Sequence, residues 1–376
     1  MRNFTVGRIW GIPIRISISL VVFLPILAWL IGSGGQIEAY AGFIAAISGI
    51  TFDLAALRAG STPWVIGIAA AVGLFVSVTV HELGHSWMAL RYDLEIESIT
   101  LWILGGIASL SEIPREWDRE FRIAIAGPAA SVLVAAVCYA GLLATPASLP
   151  VVRFVFGWLA VANGTLVLFN LLPAFPMDGG RVLRALLSRS RPYESATRLA
   201  ARIGVVFAVL FAVIGILGFN PILLLLALFI YGAATTESRT VMLDGLLEGL
   251  TVGDIMTSGP PTIAADTPLD DLADRMIRER RTLFPVTDES GTVVGLVSLS
   301  DLKGRSREGA TAGSVARDVP RVPLAADAFE TLALLHGTSE TDALVIEDGA
   351  IRGVLSQSDY AHALTVQRGF RTAVAA

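Results

Sequence analysis

The chain has 376 residues, 54% of them hydrophobic and 16% charged, with a mean hydropathy of +0.67. Soluble globular proteins carry about 25% charged residues, so a water-soluble fold is excluded for at least part of the molecule. A net charge of −5 offers no basic footprint for nucleic acid, and a single cysteine, Cys138, excludes an internal disulfide and a thiolate metal cluster.

In chain order, uncharged stretches cover Ile16–Ile37, Pro63–Val80, Ile123–Val152, Phe154–Met177 and Ile203–Thr236. Each can cross a hydrocarbon core, which takes roughly 20 helical residues. The last carries Gly218, Phe219, Asn220 and Pro221 near its middle, a turn signal that splits it into a helical hairpin and brings the expected spans to six. No small-residue cleavage site follows the first stretch, which reads as a retained span rather than a signal peptide. Arg2, Arg8 and Arg15 precede span one, and Arg115, Arg119 and Arg122 precede span three. Arg181, Arg184, Arg189, Arg191, Arg198 and Arg202 fill the segment between spans four and five, whereas 38–62 and 146–153 read as connecting segments with few charges. The positive-inside bias then places the N-terminus and everything after 237 on the cytoplasmic side of the cell membrane.

The second uncharged stretch runs into His81-Glu82-Leu83-Gly84-His85. On a helix, positions i and i+4 share a face, so both imidazoles can reach one zinc ion, with Glu82 beside them to accept a proton from an attacking water. Two histidines and a carboxylate at membrane depth are expensive unless they are functional. Next comes a β-rich segment, Glu97–Ser111, with Gly105 and Gly106 expected at a hairpin turn. A catalytic zinc site needs a third protein ligand and one open position. His336 and His362 fall in the soluble half, so the best candidate is Asp178, which follows span four directly. Pro173 and Pro176 would break the helix just before it, which is tolerated at this depth only around a cavity or protein interior.

From Glu237 charges become frequent, and a repeat appears with a period of about 60 residues. Thr251–Asp254 echoes Thr311–Ser314, and Gly295–Asp301 echoes Gly353–Asp359. Each repeat reads strand, helix, strand, strand, then a helix beginning near the final Asp. A unit of that size buries little core alone, so the two are expected to pack together. Over 251–366 the pattern, with its G-h-x-S-x-x-D endings, resembles a pair of CBS (cystathionine-β-synthase) motifs. The resemblance implies that Ser298 and Asp301, and Ser356 and Asp359, contact the phosphate and ribose of an adenine nucleotide, and that a homodimer could form through these domains. The plainer role for these residues is helix capping. The second repeat also lacks the proline that the first has at Pro285.

HExxH in one span and N-x-x-P-x-x-P-x-D-G (Asn170–Gly179) in a later one resemble the site-2 protease family of intramembrane zinc metalloproteases, over roughly residues 4–236. Trp10–Ile16 is similar to that family's N-terminal segment, and Gly127–Ser131 falls where many members have G-P-x-x-N. The resemblance implies that His81, His85 and Asp178 bind one zinc, that Glu82 is the general acid/base, and that Asn170 helps to hold the substrate or the oxyanion. The 97–111 segment would then receive unwound substrate as an added strand, because a helix hides its scissile amides in hydrogen bonds.

The expected architecture is a polytopic α-helical membrane protein of about six transmembrane helices followed by a soluble α/β tandem CBS domain. Its expected parts are the protease domain over 1–236, a linker over 237–250, and CBS motifs over 251–307 and 308–376. The expected activity is hydrolysis of a peptide bond in or near a transmembrane segment of a membrane protein, as in regulated intramembrane proteolysis, modulated by adenine nucleotide. The alternatives are a CBS-gated transporter or channel and a zinc-binding receptor without activity.

Overall fold

Where no water reaches the backbone, its N–H and C=O groups must pair within the segment, and long apolar runs become helices. The computed structural model describes residues 3–103, 105–110, 114–302, 309–338 and 340–374. They divide into two units, Met1–Ser238 and Arg239–Ala376.

The first unit opens with a hairpin, β1 (Asn3–Ile9) and β2 (Ile12–Ser17), followed by α1 (Ile18–Gly32) and α2 (Gly34–Ser48). These two helices meet at a 67° bend. The short α3 (Leu54–Arg58) is capped by Asp53, whose side chain accepts from the Ala55 and Ala56 amides. Segment 38–62 is therefore not a plain connection. Ile37, Ala41 and Ile44, spaced at three and four residues, bury one face of α2 in a cluster with Leu57, Phe154 and Trp158. The Gly34-Gly35 pair and Glu38 obscured that periodicity in the sequence.

Next come α4 (Thr62–Leu90), β3 (Ile96–Trp102), β4 (Gly105–Leu110), α5 (Trp117–Ala144) and α6 (Pro150–Asn170). The unit continues with α7 (Asp178–Ser188), α8 (Tyr193–Leu217) and α9 (Pro221–Leu247). Five helices, α4, α5, α6, α8 and α9, are long and apolar enough to cross a membrane, and the bent α1–α2 pair makes up to six. The turn at Gly218–Asn220 separates α8 from α9 as expected, while residues 237–247 of the expected linker continue α9.

The strands form one sheet in the order β1-β2-β3-β4. β2 joins β3 in parallel (Ile14 opposite Ile99), and β3 pairs antiparallel with β4. The last pair of that hairpin is Trp102 opposite Gly105, so Gly105 and Gly106 open β4 and are not the turn itself. Ile12, Leu20, Val78, Ile99 and Leu101 pack the sheet against α4, leaving β4 as an edge.

In the second unit the first repeat contributes α10 (Val252–Ile255), β5 (Thr257–Ser258), β6 (Ile263–Ala264), α11 (Leu269–Glu279), β7 (Leu283–Thr287) and β8 (Val293–Ser298). The second contributes α12 (Ala312–Val315), β9 (Arg321–Pro323), α13 (Ala328–Thr338), β10 (Asp342–Glu347), β11 (Ala350–Ser356) and α14 (Gln357–Val374). The helix expected after Asp301 falls largely outside the described residues, whereas α14 begins beside Asp359 as expected.

The repeats exchange their leading segments. Val252 and Gly253 donate to the Ala326 and Leu324 carbonyls of the second repeat, and Ala312 and Gly313 donate to the Thr267 and Ala265 carbonyls of the first. β5 likewise pairs with β11. Val252 thus sits in the core of the second repeat, and Ala312 and Val315 sit in the core of the first. Each core is completed by the other half, which is why one repeat of this size would not suffice.

Candidate metal centre

α4 turns its small and polar residues, including Ser77, His81, His85, Ser86 and Ala89, inward. His81 and His85 lie one turn apart on that face with ring centroids 4.8 Å apart. α6 stops at Asn170, and residues 171–177 return through a series of turns that contains Pro173 and Pro176. Asp178 then opens α7, with its carboxylate buried against both rings. His81 Nε2 is 3.1 Å and His85 Nε2 is 3.2 Å from Asp178 Oδ2, and the two Nε2 atoms are 3.2 Å apart.

The far side of each ring shows what this triangle can hold. His85 Nδ1 lies 2.7 Å from the Ile123 carbonyl, which can only accept, so Nδ1 carries the proton and Nε2 of the neutral ring presents a lone pair. His81 Nδ1 lies 2.9 Å from Ser131 Oγ, a hydroxyl able to accept in the same way. With His81 in the same tautomer as His85, three lone-pair atoms face one another with no donor between them, an unfavourable arrangement that a cation resolves. Tetrahedral coordination at zinc's usual bond lengths puts ligand atoms roughly 3.3 Å apart, close to the spacing here. Two nitrogens and one carboxylate oxygen also match the donor set of a catalytic zinc that keeps a fourth position open. No other cluster of this kind occurs among the described residues.

The comparisons agree with this geometry. Peptidase family M50 matches over residues 69–151 and 145–211, and the CBS domain matches over 252–308. A zinc metalloprotease of Methanocaldococcus jannaschii (MJ0392) is 31% identical over 360 residues, covering 96% of this chain and 95% of its own. The chain belongs to peptidase family M50, the site-2 proteases. Rip3 of Mycobacterium tuberculosis is 32% identical over 386 residues, covering 96% of this chain and 93% of its own. A solved site-2 protease from Methanocaldococcus jannaschii aligns at a TM-score of 0.42 with 34% identity, over 63% of this chain and 96% of that one. Membership decides for the zinc metalloprotease over both the transporter and the inactive receptor.

Other site residues of this M50 protease are set by close approach. A Cβ on Gly127 would lie 2.1 Å from His85 Nε2, so only glycine lets α5 pass the imidazole. A Cβ on Gly106 would lie 2.3 Å from Glu82 Cγ, so the start of edge strand β4 runs against the Glu82 side chain. Asn170 is the last residue of α6 and is half-buried. The orienting roles of Ser131 and the Ile123 carbonyl were hidden from sequence, where Ser131 was only a departure from the family's Asn. Spacing offered a faint signal, because Ile123, Gly127 and Ser131 recur at four residues along α5.

Within the second unit, a cleft of about 750 Å³ is lined by Thr257, Arg280, Arg281, Ser298, Ser356 and Asp342, among others. Both serines therefore reach the cleft. Each also engages its own aspartate, however: Ser298 N and Oγ donate to Asp301 Oδ2 at 2.8 and 2.6 Å, and Ser356 N and Oγ donate to Asp359 Oδ2 at 2.8 and 2.7 Å. In each pair both bonds run from the serine to the aspartate, so the carboxylate takes the serine backbone N–H and hydroxyl together. The two sides differ beyond that pairing. Asp301 Oδ1 lies 2.8 Å from Nε of Arg317, whose other nitrogens reach Glu340 at 2.6 Å and Asp342 at 3.0 Å. Asp359 Oδ1 instead accepts from the Thr257 hydroxyl at 2.8 Å. Burial tends to raise the Asp301 carboxyl, but the Ser298 bonds and the Arg317 guanidinium outweigh it and hold it below the usual carboxylate range.

Proposed function

We propose that the chain cuts a membrane-spanning protein within or next to its transmembrane segment, with His81, His85 and Asp178 holding one zinc. The observation that carries this reading is the triangle of lone-pair atoms next to a carboxylate and an open strand edge. Zinc bound there supplies a Lewis acid and lowers the pKa of a coordinated water. Glu82, adjacent to His81 in the chain, takes the proton from the attacking water and returns it to the leaving amine. The edge of β4 takes the unwound substrate as a further strand, and because Gly106 touches Glu82, a peptide paired there brings a scissile bond to the base. Asn170, at the mouth of the 171–177 turns, steadies the substrate or its oxyanion. The positive-inside bias of the basic segments supports a cytoplasmic N-terminus and CBS pair. The test is to compare the membrane proteins of cells producing the wild type with those producing Glu82→Gln. A truncated membrane protein should appear only with the wild type; identical peptide profiles would refute cleavage.

We further propose that the CBS pair binds an adenine nucleotide and thereby modulates cleavage, and that it carries a homodimer contact. Ser356, Asp359 and Thr257 form the favoured side. There a neutral hydroxyl can yield Asp359 to a ribose, while Arg280 and Arg281 line the same cleft for phosphate. On the other side Asp301 is already claimed by Arg317. Titration of AMP, ADP and ATP into the purified full chain should show binding that Asp359→Asn abolishes and Asp301→Asn spares; the reverse pattern would move the site to the first repeat.

A further inference from the structure

The first unit contains a second charged cluster that takes no part in the chemistry above. Arg184, on α7, is 1% exposed, and Glu120, on α5, is 3% exposed. Arg184 Nε and Nη2 lie 2.7 and 2.6 Å from Glu120 Oε1, and Nη1 pairs with Glu237 on α9. The guanidinium also lies 5.0 Å from the ring centre of Phe175, in the turns leading into Asp178. One cation therefore ties together α5, α7, α9 and the chain just before the third metal-facing residue.

Stability alone is a poor account of this cluster. A buried ion pair contributes little over well-packed apolar residues, because desolvation offsets the attraction. The fit is also incomplete, since Glu120 Oε2 is buried without a hydrogen-bond partner. Its place in the fold is more telling. Glu120, Ile123, Gly127 and Ser131 are spaced three, four and four residues apart, so they form one stripe along α5. That stripe binds Nδ1 of His85 through the Ile123 carbonyl and Nδ1 of His81 through Ser131, and it clears His85 at Gly127. Glu120 adds the remaining link, because it grips the helix that begins with Asp178.

We propose that Arg184 is a positioning residue: held by Glu120, it registers α7 on the same face of α5 that aims the two histidines, and so sets where Asp178 Oδ2 stands. The proposal rests on the reading of His81, His85 and Asp178 as zinc ligands. Losing a partner bonded directly to a metal ligand lowers metal affinity by about 10–100-fold, and Arg184 acts one contact further out, through the helix that Asp178 begins.

The test uses the purified full chain in detergent, with zinc affinity measured by competition against a chromophoric chelator and the melting temperature of the metal-free form measured alongside. Two variants are compared with wild type. Glu120→Gln keeps the side chain's shape, and the double variant Glu120→Met with Arg184→Met replaces the pair by apolar volume. Phe154→Leu, in the core beside α2 and α3, serves as the control for general destabilisation. Both test variants should lose about 10-fold in zinc affinity, the lower end of that range. The control should lose melting temperature but keep its affinity. Affinity within about twofold of wild type in a folded Glu120→Gln would overturn the positioning role even if the double variant failed to fold. Affinity lost equally in Phe154→Leu would reduce the effect to general stability. Zinc absent from the wild type itself would instead bring down the ligand assignment underneath.

Discussion

The metal centre and the cleft of the CBS pair both gather side chains from distant parts of the chain, but their polar groups are satisfied in opposite ways. In the metal centre His85 donates outward to the Ile123 carbonyl and Ser131 can accept from His81 in the same way, the state that leaves three acceptor atoms facing inward. In the cleft the key serines already donate to aspartates in their own repeats, and one of those aspartates is further held by an arginine. The first site is electrostatically incomplete without a cation. The serine–aspartate pairs of the second are complete as they stand, so a ligand that engages them must displace an existing bond and gains only the difference in free energy. The two proposed ligands would therefore meet very different starting states.

The largest effect should come from the inward side of the metal triangle. His85→Ala and Asp178→Ala should each reduce zinc from about one per chain to near zero by elemental analysis. Gly127→Ala should do nearly the same without removing any ligand, since its methyl would occupy the place of His85 Nε2. Zinc retained in Gly127→Ala would show that α5 can yield at this point.

Glu82→Gln should separate binding from chemistry. Zinc should stay, while cleavage of an identified substrate falls by roughly 10²–10⁴-fold. Gly106→Ala should follow it in direction, because the added methyl pushes on the Glu82 side chain and not on a metal-facing atom. Loss of zinc in either variant would break the division of labour between α4's two histidines and its glutamate.

A smaller change is expected behind the rings. Ser131→Ala removes the partner of His81 Nδ1 but leaves the imidazole in place, so zinc affinity should fall by about 10-fold, the lower end for such partners. Chelator competition would read this, and an unchanged value would mean that packing alone orients His81.

The smallest effect is the pH dependence of the Asp301–Arg317 pair. The Asp301 carboxyl is lowered in the folded state, so its contribution to stability is fully present above the unfolded carboxylate value of about 4 and is lost as pH falls through the lower folded value. Thermal melts of the full chain should show a decline below about pH 4 that is shallower in Asp301→Asn. Matching profiles would mean that the Arg317 network adds nothing to folding.

Much of this was legible in the chain. HExxH fixes two imidazoles on one helical face whatever surrounds them, because the spacing matches the helical repeat. The N-x-x-P-x-x-P-x-D-G run marks Asp178 because prolines and glycines force a break at membrane depth. The repeat endings at Ser298–Asp301 and Ser356–Asp359 were visible as both caps and ligand residues, and in the structure each serine donates to its own aspartate. The helical 38–62 segment was not legible, since short runs broken by glycines and a glutamate carry too little periodicity. Nor was the place of Gly105 and Gly106 inside β4 rather than at the turn, because glycine marks a close approach as readily as a bend.

The sequence by itself determined the apolar lengths that demand helices, the local spacing of His81, Glu82 and His85, and a duplicated soluble half whose repeats complete each other. Only the tertiary structure decided that Ser131 and the Ile123 carbonyl stand behind the rings, that Arg184 joins the Asp178 helix to the same face of α5, and that Arg317 holds Asp301 while a threonine holds its counterpart Asp359. The physical reason is range. Helix propensity, periodicity and capping act over a few residues and are written in neighbouring letters, whereas a hydrogen bond between residues 50 or 64 positions apart exists only once packing has brought two helices into register.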